Sequence, residues 1–159
     1  MKMSTKGQYS LRAMVALARQ QKSQADDFLS ITMMADQTGV TERYLEKLLR
    51  QLKAAALIET ARGAAGGFKL TRSPEEITVG EVLRAGEGEL TTVSCVTETG
   101  SPCARQDGCV VQYVWKRIND SINEAVDSMT LAELIGMKPE EKQAVSKGKG
   151  VCNIKKPSP

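Results

Sequence analysis

A chain of 159 residues with 41% hydrophobic but only 4% aromatic content holds one aliphatic core of the kind packed helices make, with room for an appended helix and a tail. No apolar run approaches the roughly 18 residues that span a bilayer, and the opening MKMSTKGQYS has no continuous apolar stretch of the secretory kind. A membrane span and a signal peptide are excluded on this reading, which predicts a soluble, cytoplasmic protein. The net charge of +3 hides an asymmetry: the balance is +6 over residues 1–73, −7 over 74–135 and +4 over 136–159. A basic first half suits a polyanionic partner, provided its charges fall on one face.

Leu11, Met14, Val15 and Ala18 step by i, i+3, i+4, i+7 and predict a helix over about residues 8–20. The polar linker QQKSQADD follows. Ser30 then caps a second helix with Ile31, Met34 and Ala35, which stops at Gly39, a residue free to take the positive φ of a tight turn. Thr41 caps a third helix. In it Leu45, Leu48, Leu49 and Leu52 form an apolar stripe, while Arg43, Lys47 and Arg50 form a basic one that Lys53 extends. Two helices joined by a short Gly-bearing turn, the second with an outward basic face, make the helix-turn-helix pattern. A B-form major groove admits one such helix. Thr41, Glu42, Arg43, Tyr44, Glu46 and Lys47 lie where side chains reach base edges. Next, Ile58–Ala61 and residues 68–71 predict two strands around a tip, 62–67, that holds three glycines. A hairpin directly after a recognition helix is a wing. Arg62, near its tip, is placed to enter a minor groove or grip phosphate.

In the second half, Thr78 and Glu81 fit a capping box and predict a helix over about 79–86. Residues 87–108 lack periodicity and predict loop. From about Cys109 the pattern turns helical again: Val111, Val114, Ile118, Ile122, Ala125 and Met129 form a heptad-like seam. In so small a domain this helix is expected to pack on its twin, and a two-fold homodimer would present two recognition helices to successive major grooves. An ordinary core helix is the alternative. Thr130 and Glu133 form a second capping box, starting a short last helix to about residue 135. Beyond it lies a tail rich in Lys, Gly, Pro and Ser, read as flexible and basic, that carries Cys152. The expected organisation is a DNA-binding unit over 1–73, a connecting helix and cysteine loop over 74–108, a dimerisation helix and short final helix over 109–136, and the tail over 137–159. The fold class is mostly α with a small β-hairpin wing.

Cys95, Cys103 and Cys109 sit on a polar, Gly/Pro-bearing stretch at C-x7-C and C-x5-C spacing, in a chain without a single histidine. In a reducing compartment such clusters are metal ligands or redox groups rather than disulfides. Thiolates select Zn, Cu(I) or iron–sulfur clusters. Structural zinc favours closer C-x2–4-C pairs and four ligands, so an iron–sulfur cluster ranks first, a thiol-based redox switch second and zinc third. A cysteine-dependent redox enzyme is a remote alternative: the commonest general base and the thioredoxin-like C-x-x-C are both missing.

Taken in order, MSTKGQYSLRAM, VTERYLEKLLRQLKAAALI, RGAAGGFKL, ITVGEV and the three-cysteine loop before the amphipathic helix resemble the IscR-type family of winged-helix, iron–sulfur regulators, over about residues 1–136. That family includes the NsrR nitric-oxide sensors and the CymR cysteine-metabolism repressors. The resemblance implies a homodimer on an imperfect palindrome of double-stranded DNA. It implies recognition through Thr41, Arg43 and Glu46, with Arg62 on the wing; Lys6, Tyr9, Tyr44, Lys47 and Arg50 complete the expected DNA surface. It implies a cluster, first of all [2Fe–2S], on Cys95, Cys103 and Cys109. The function implied is that of a repressor sensing cluster status, redox state or nitric oxide, set over genes of cluster biogenesis; the alternative is a thiol or cysteine-metabolism regulator without a cluster. The first cysteine spacing is longer than in IscR. Gln112 stands where IscR-like members place a ligand histidine, and Gln8 where some relatives have an acidic residue reaching across the dimer. The fourth ligand is therefore open among Gln112, Gln8, Glu98, Asp107, Cys152 and a small molecule.

Overall fold

A computed structural model describes residues 3–23, 27–63, 66–93 and 109–137. Helices α1 (Thr5–Ser23), α2 (Ile31–Thr38) and α3 (Glu42–Ala54) come first. Strands β1 (Ile58–Ala61) and β2 (Gly67–Leu70) follow, then α4 (Val79–Glu87), α5 (Val110–Asp127) and α6 (Leu131–Gly136). The predicted fold class holds: helices with one antiparallel hairpin.

Helix α1 is central. Met14, Leu17 and Ala18 pack in one cluster with Met34 of α2, Leu45, Leu49 and Leu52 of α3, Ile58 and Leu70 of the hairpin, Val82 of α4 and Leu131 of α6. This core crosses residue 73, so the segments after the wing complete the body that the first three helices begin. Helix α1 starts at Thr5, earlier than its apolar spacing predicts, because its N-terminus is satisfied from elsewhere in the chain. Glu87 Oε1, at the end of α4, accepts from the Ser4 N–H (2.9 Å), the Ser4 hydroxyl (2.7 Å) and the Gly7 N–H (3.0 Å). An acidic group at a helix N-terminus also meets the positive end of the helix dipole.

The helix-turn-helix forms as read. Ser30 Oγ accepts from the Met33 N–H (3.2 Å), and Gly39 turns the chain at φ 69°. Thr41 holds the N-cap position of α3 by its backbone, yet its side chain makes no capping hydrogen bond, unlike the expectation. At the far end of α3, Leu57 N–H bonds to Leu52 O and Ala56 N–H to Lys53 O, each at 3.0 Å, while Leu52 and Leu57 are both buried. That is a Schellman stop, and the left-handed position belongs to Ala56 at φ 56°.

The hairpin pairs Ile58 with Leu70 and Ala61 with Gly67, one residue earlier on the second strand than predicted. A third short piece joins it: Leu29 exchanges two backbone hydrogen bonds with Phe68, at 2.9 and 3.0 Å. Both capping boxes, at Thr78/Glu81 and Thr130/Glu133, are present. Backbone bonds from Val79 N–H to Met129 O (2.8 Å) and from Leu131 N–H to Ile77 O (3.0 Å) stitch the starts of α4 and α6 together.

A left-handed backbone costs an L-residue roughly 1–2 kcal/mol, whereas glycine adopts it freely but gains entropy in the unfolded chain. Ala56→Gly is therefore expected to stabilise the protein by about 0.5–1 kcal/mol, and Ala56→Val to destabilise it. Urea denaturation of the two variants checks the opposite signs.

Candidate nucleic-acid interface and cysteine site

Helix α3 divides as its two stripes require. Leu45, Leu48, Leu49 and Leu52 are buried, and Glu42, Arg43, Glu46, Lys47 and Arg50 are exposed. Thr41 is exposed at the N-terminal end, with its hydroxyl unused by the cap. Lys53, at the other end, is committed: its Nζ donates to Thr60 Oγ1 on β1 at 2.8 Å and ties recognition helix to wing. Arg62 is exposed directly after β1, followed by Gly63 at φ 106°. Lys6 is exposed on the first turn of α1.

Tyr9 and Tyr44 have a different place from the other candidates. Both are half-buried against the main core, and their rings meet edge-on at 5.8 Å. Arg12 lies 5.3 Å from the Tyr9 ring centre, and the Tyr44 hydroxyl approaches Thr5 Oγ1 at 3.5 Å. The pair forms an aromatic joint that fixes α3 on α1. Arg12, absent from the sequence-based candidates, is an exposed cation beside them. Its only local signal was its position three residues beyond Tyr9.

Of the predicted seam, Val111, Val114, Ile118 and Ala125 are exposed and Ile122 is half-buried. Val110 and Tyr113 are exposed as well, at 81% and 67%. A shallow hollow of about 460 Å³ runs along this face, lined by Tyr113, Val114, Arg117, Ile118, Ile122 and Ala125. Met129 lies past the end of α5 and packs instead with Val79, Leu83, Leu90 and Val126 in a second, smaller core.

Cys109 is the N-cap residue of α5, half-buried and in no disulfide, and its side chain makes no capping bond. Gln112 is half-buried on the first turn. Gln8 sits on α1, far along the chain from both, where its Nε2 donates to Met3 O at 3.2 Å. It lines a cavity of about 650 Å³ with Leu11, Arg12, Val15, Leu134 and Met137. Cys95, Cys103, Glu98, Asp107 and Cys152 lie outside the described residues, and among the described residues no group of three or more His, Cys, Asp or Glu side chains is placed to hold a metal.

A helix with an open basic face after a tight turn, followed by a hairpin carrying an exposed arginine, defines a winged helix-turn-helix DNA-binding protein. Residues 3–137 match the Rrf2 family, described as iron-dependent transcriptional regulators. The chain belongs to that family. It is 36% identical over 144 residues to the HTH-type transcriptional regulator CymR of Bacillus subtilis, covering 91% of this chain and 96% of that protein. It is similar to the solved structure of CymR, the global cysteine regulator of B. subtilis, with a TM-score of 0.69 and 34% identity, covering 86% of this chain and 97% of the other. It is also similar to the solved structure of T. potens IscR, with a TM-score of 0.66 and 33% identity, covering 94% of both chains. These relatives are transcriptional regulators, so the enzyme alternative falls. Among the described residues no helix is long and apolar enough to cross a membrane.

Proposed function

We propose that the chain is a homodimeric repressor, acting in the cytoplasm on an imperfect palindrome of double-stranded DNA, whose affinity depends on an iron–sulfur cluster held by Cys95, Cys103 and Cys109. The observation that carries this reading is the make-up of α5. Its long apolar face is exposed, and a cysteine free of disulfide and of capping duty stands at its first turn. The first feature calls for a second copy, and the second links a sulfur site to the helix that joins the copies.

On this reading Arg43 reads or orients bases from the start of α3, with Thr41, Tyr44 and Glu46 beside it. Lys6, Lys47 and Arg50 meet phosphate, and Arg62 reaches from the wing. Tyr9 acts by holding α3 in place. Exposed Val111, Val114, Ile118 and Ala125, with half-buried Ile122, form the dimer seam.

The donor chemistry suits iron. Thiolates are the usual cluster ligands, and the positive end of α5 favours an anionic group beside Cys109. A cluster, first of all [2Fe–2S], would supply a sulfur-ligated iron centre sensitive to oxidant and nitric oxide. Gln112, on the first turn of α5, or Gln8, in the α1 cavity, is the candidate for the remaining position; amide oxygen is a weak iron ligand, which makes occupancy conditional. The target genes would be those of cluster biogenesis. A second reading has a specific support: the relatives named for cysteine regulation, together with the absence of histidine. In it the same cysteines act as a thiol switch for cysteine metabolism, and no metal is bound.

Two measurements test the proposal. Arg43→Ala is expected to cost on the order of 1–3 kcal/mol on a selected operator and relax its sequence preference, while Arg50→Ala weakens operator and random DNA alike and lowers the salt slope by about one. Wild-type affinity in both variants, on both DNAs, overturns the assigned face. The second is anaerobic purification with absorption spectrum and iron and sulfide assay. Coloured protein, made colourless by Cys103→Ala and changed in operator affinity by chelation, is the expected result. Colourless protein without iron after reconstitution leaves the thiol switch standing.

A further inference from the structure

Among the described residues, the buried apolar contact of helix α5 lies near its C-terminal end. Val126 is its buried residue, and Leu83 and Leu90 are its apolar neighbours there. Beside this small contact lies a polar lock. Arg84 of α4 grips Asp127 with both nitrogens, Nη1 to Oδ1 at 2.7 Å and Nη2 to Oδ2 at 2.5 Å. The same Nη2 donates to Asn123 Oδ1 at 3.0 Å. Asn123 in turn donates from Nδ2 to Leu90 O at 3.3 Å, at the entrance of the segment leading to the cysteines. Gly80, one turn before Arg84, leaves the room: a Cβ there would overlap Asp127 Oδ1. The two carboxylate oxygens matched to the planar guanidinium fix direction as well as distance, which a single contact does not.

Helix α4 belongs rigidly to the DNA-reading body, since Val82 shares the core of α3. The lock therefore sets the angle between that body and α5. With 18 residues α5 is about 27 Å long, and its midpoint lies near Ile118. Helix α3 packs against α4 in the same core, which sets their axes about 8–10 Å apart, so a 10° rotation of the body about the lock moves the recognition helix by at least roughly 1.5 Å and the separation of the two by roughly 3 Å or more in a two-fold pair. One base-pair step of DNA is about 3.4 Å.

We infer that Arg84, through Asp127 and Asn123, is a positioning residue that sets the half-site spacing the regulator accepts. This rests on the dimeric reading above. Arg84 touches no DNA; it acts by holding α5 at one angle to the recognition helix. The Asn123 bond to Leu90 O makes the lock contiguous with the chain that enters the cysteine segment.

The test uses the full-length protein and palindromes that wild type selects from a random DNA library. Affinity is then measured on the selected operator, on versions with one base pair inserted into or removed from the centre, and on an isolated half-site. Wild type is expected to lose on the order of tenfold for either spacer change. Arg84→Met and Gly80→Ala, which open the lock from its two sides, are expected to bind the three spacings within about threefold of one another. Arg84→Lys, keeping charge without the fork, should fall between. Half-site affinity should stay at the wild-type value in all three. A wild-type spacing profile in folded Gly80→Ala and Arg84→Met overturns the inference alone. A flat profile in wild type itself overturns the two-site reading and the inference with it. Should Arg84→Met fail to fold, Gly80→Ala and Asn123→Ala carry the same comparison.

Discussion

The burial of one stripe of α3 against α1 is the constraint on which the other surfaces depend. Leu45, Leu49 and Leu52 share a core with Met14 and Leu17, and each such side chain contributes roughly 1.5–3 kcal/mol when fully buried. Because a helix has one opposite face, burying the leucines turns Arg43, Lys47 and Arg50 outward together. The aromatic joint of Tyr9 and Tyr44 removes the remaining rotation of α3 about its axis. Lys53 on Thr60 then fixes the wing at the end of the same helix. The basic face is thus set by packing.

A run of directional polar contacts continues from the wing to α5. Arg72, just past β2, donates to Glu81 at 2.6 Å and to Glu76 O at 3.1 Å. Glu81 caps α4 through Thr78, and Arg84 one turn later locks Asp127 of α5. Burial opposes charge at Glu81, but the Thr78 N–H and then Arg72 outweigh it and hold its carboxyl below the ordinary range. The Arg84 guanidinium does the same for Asp127, and Asp127 raises Arg84 in return. Both carboxyls are held below their ordinary range, so acid weakens these contacts only below it and they are intact at physiological pH. Glu87 closes the other side by holding the start of α1. Helix α4, which has no direct part in either proposed site, makes three of the fold's polar connections.

What the sequence disclosed was local. Each helix from α2 onward could be placed within a residue or two because its signals lie inside it: Ser30 and Gly39, the leucine stripe, two capping boxes. Helix α1 runs three residues past its expected bounds at each end, and its start is held by Glu87, some eighty residues away, which no spacing rule registers. Thr41 was expected to cap with its hydroxyl by residue type alone, but it holds the N-cap position without a side-chain hydrogen bond. Met129 continues the seam by count, yet α5 ends at Asp127, so the count no longer describes a helical face. Tyr9 and Tyr44 are polar-tipped aromatics beside basic residues, a composition that fits a DNA surface and a packed joint equally; that their rings meet is visible only in the fold. The Arg84–Asp127 lock has a sequence separation of 43 and no motif.

The central claim is that the exposed apolar face of α5 exists to meet a second copy. Val114 and Ile118 are 49% and 38% exposed, so lysine at both leaves the single-chain core untouched while placing two charges in the seam. Sedimentation equilibrium of wild type and of the Val114→Lys/Ile118→Lys variant, each with its circular dichroism spectrum, is the direct measurement. The account predicts a dimeric wild type and a monomeric variant of unchanged helix content. A variant that remains dimeric with the wild-type association constant would contradict it.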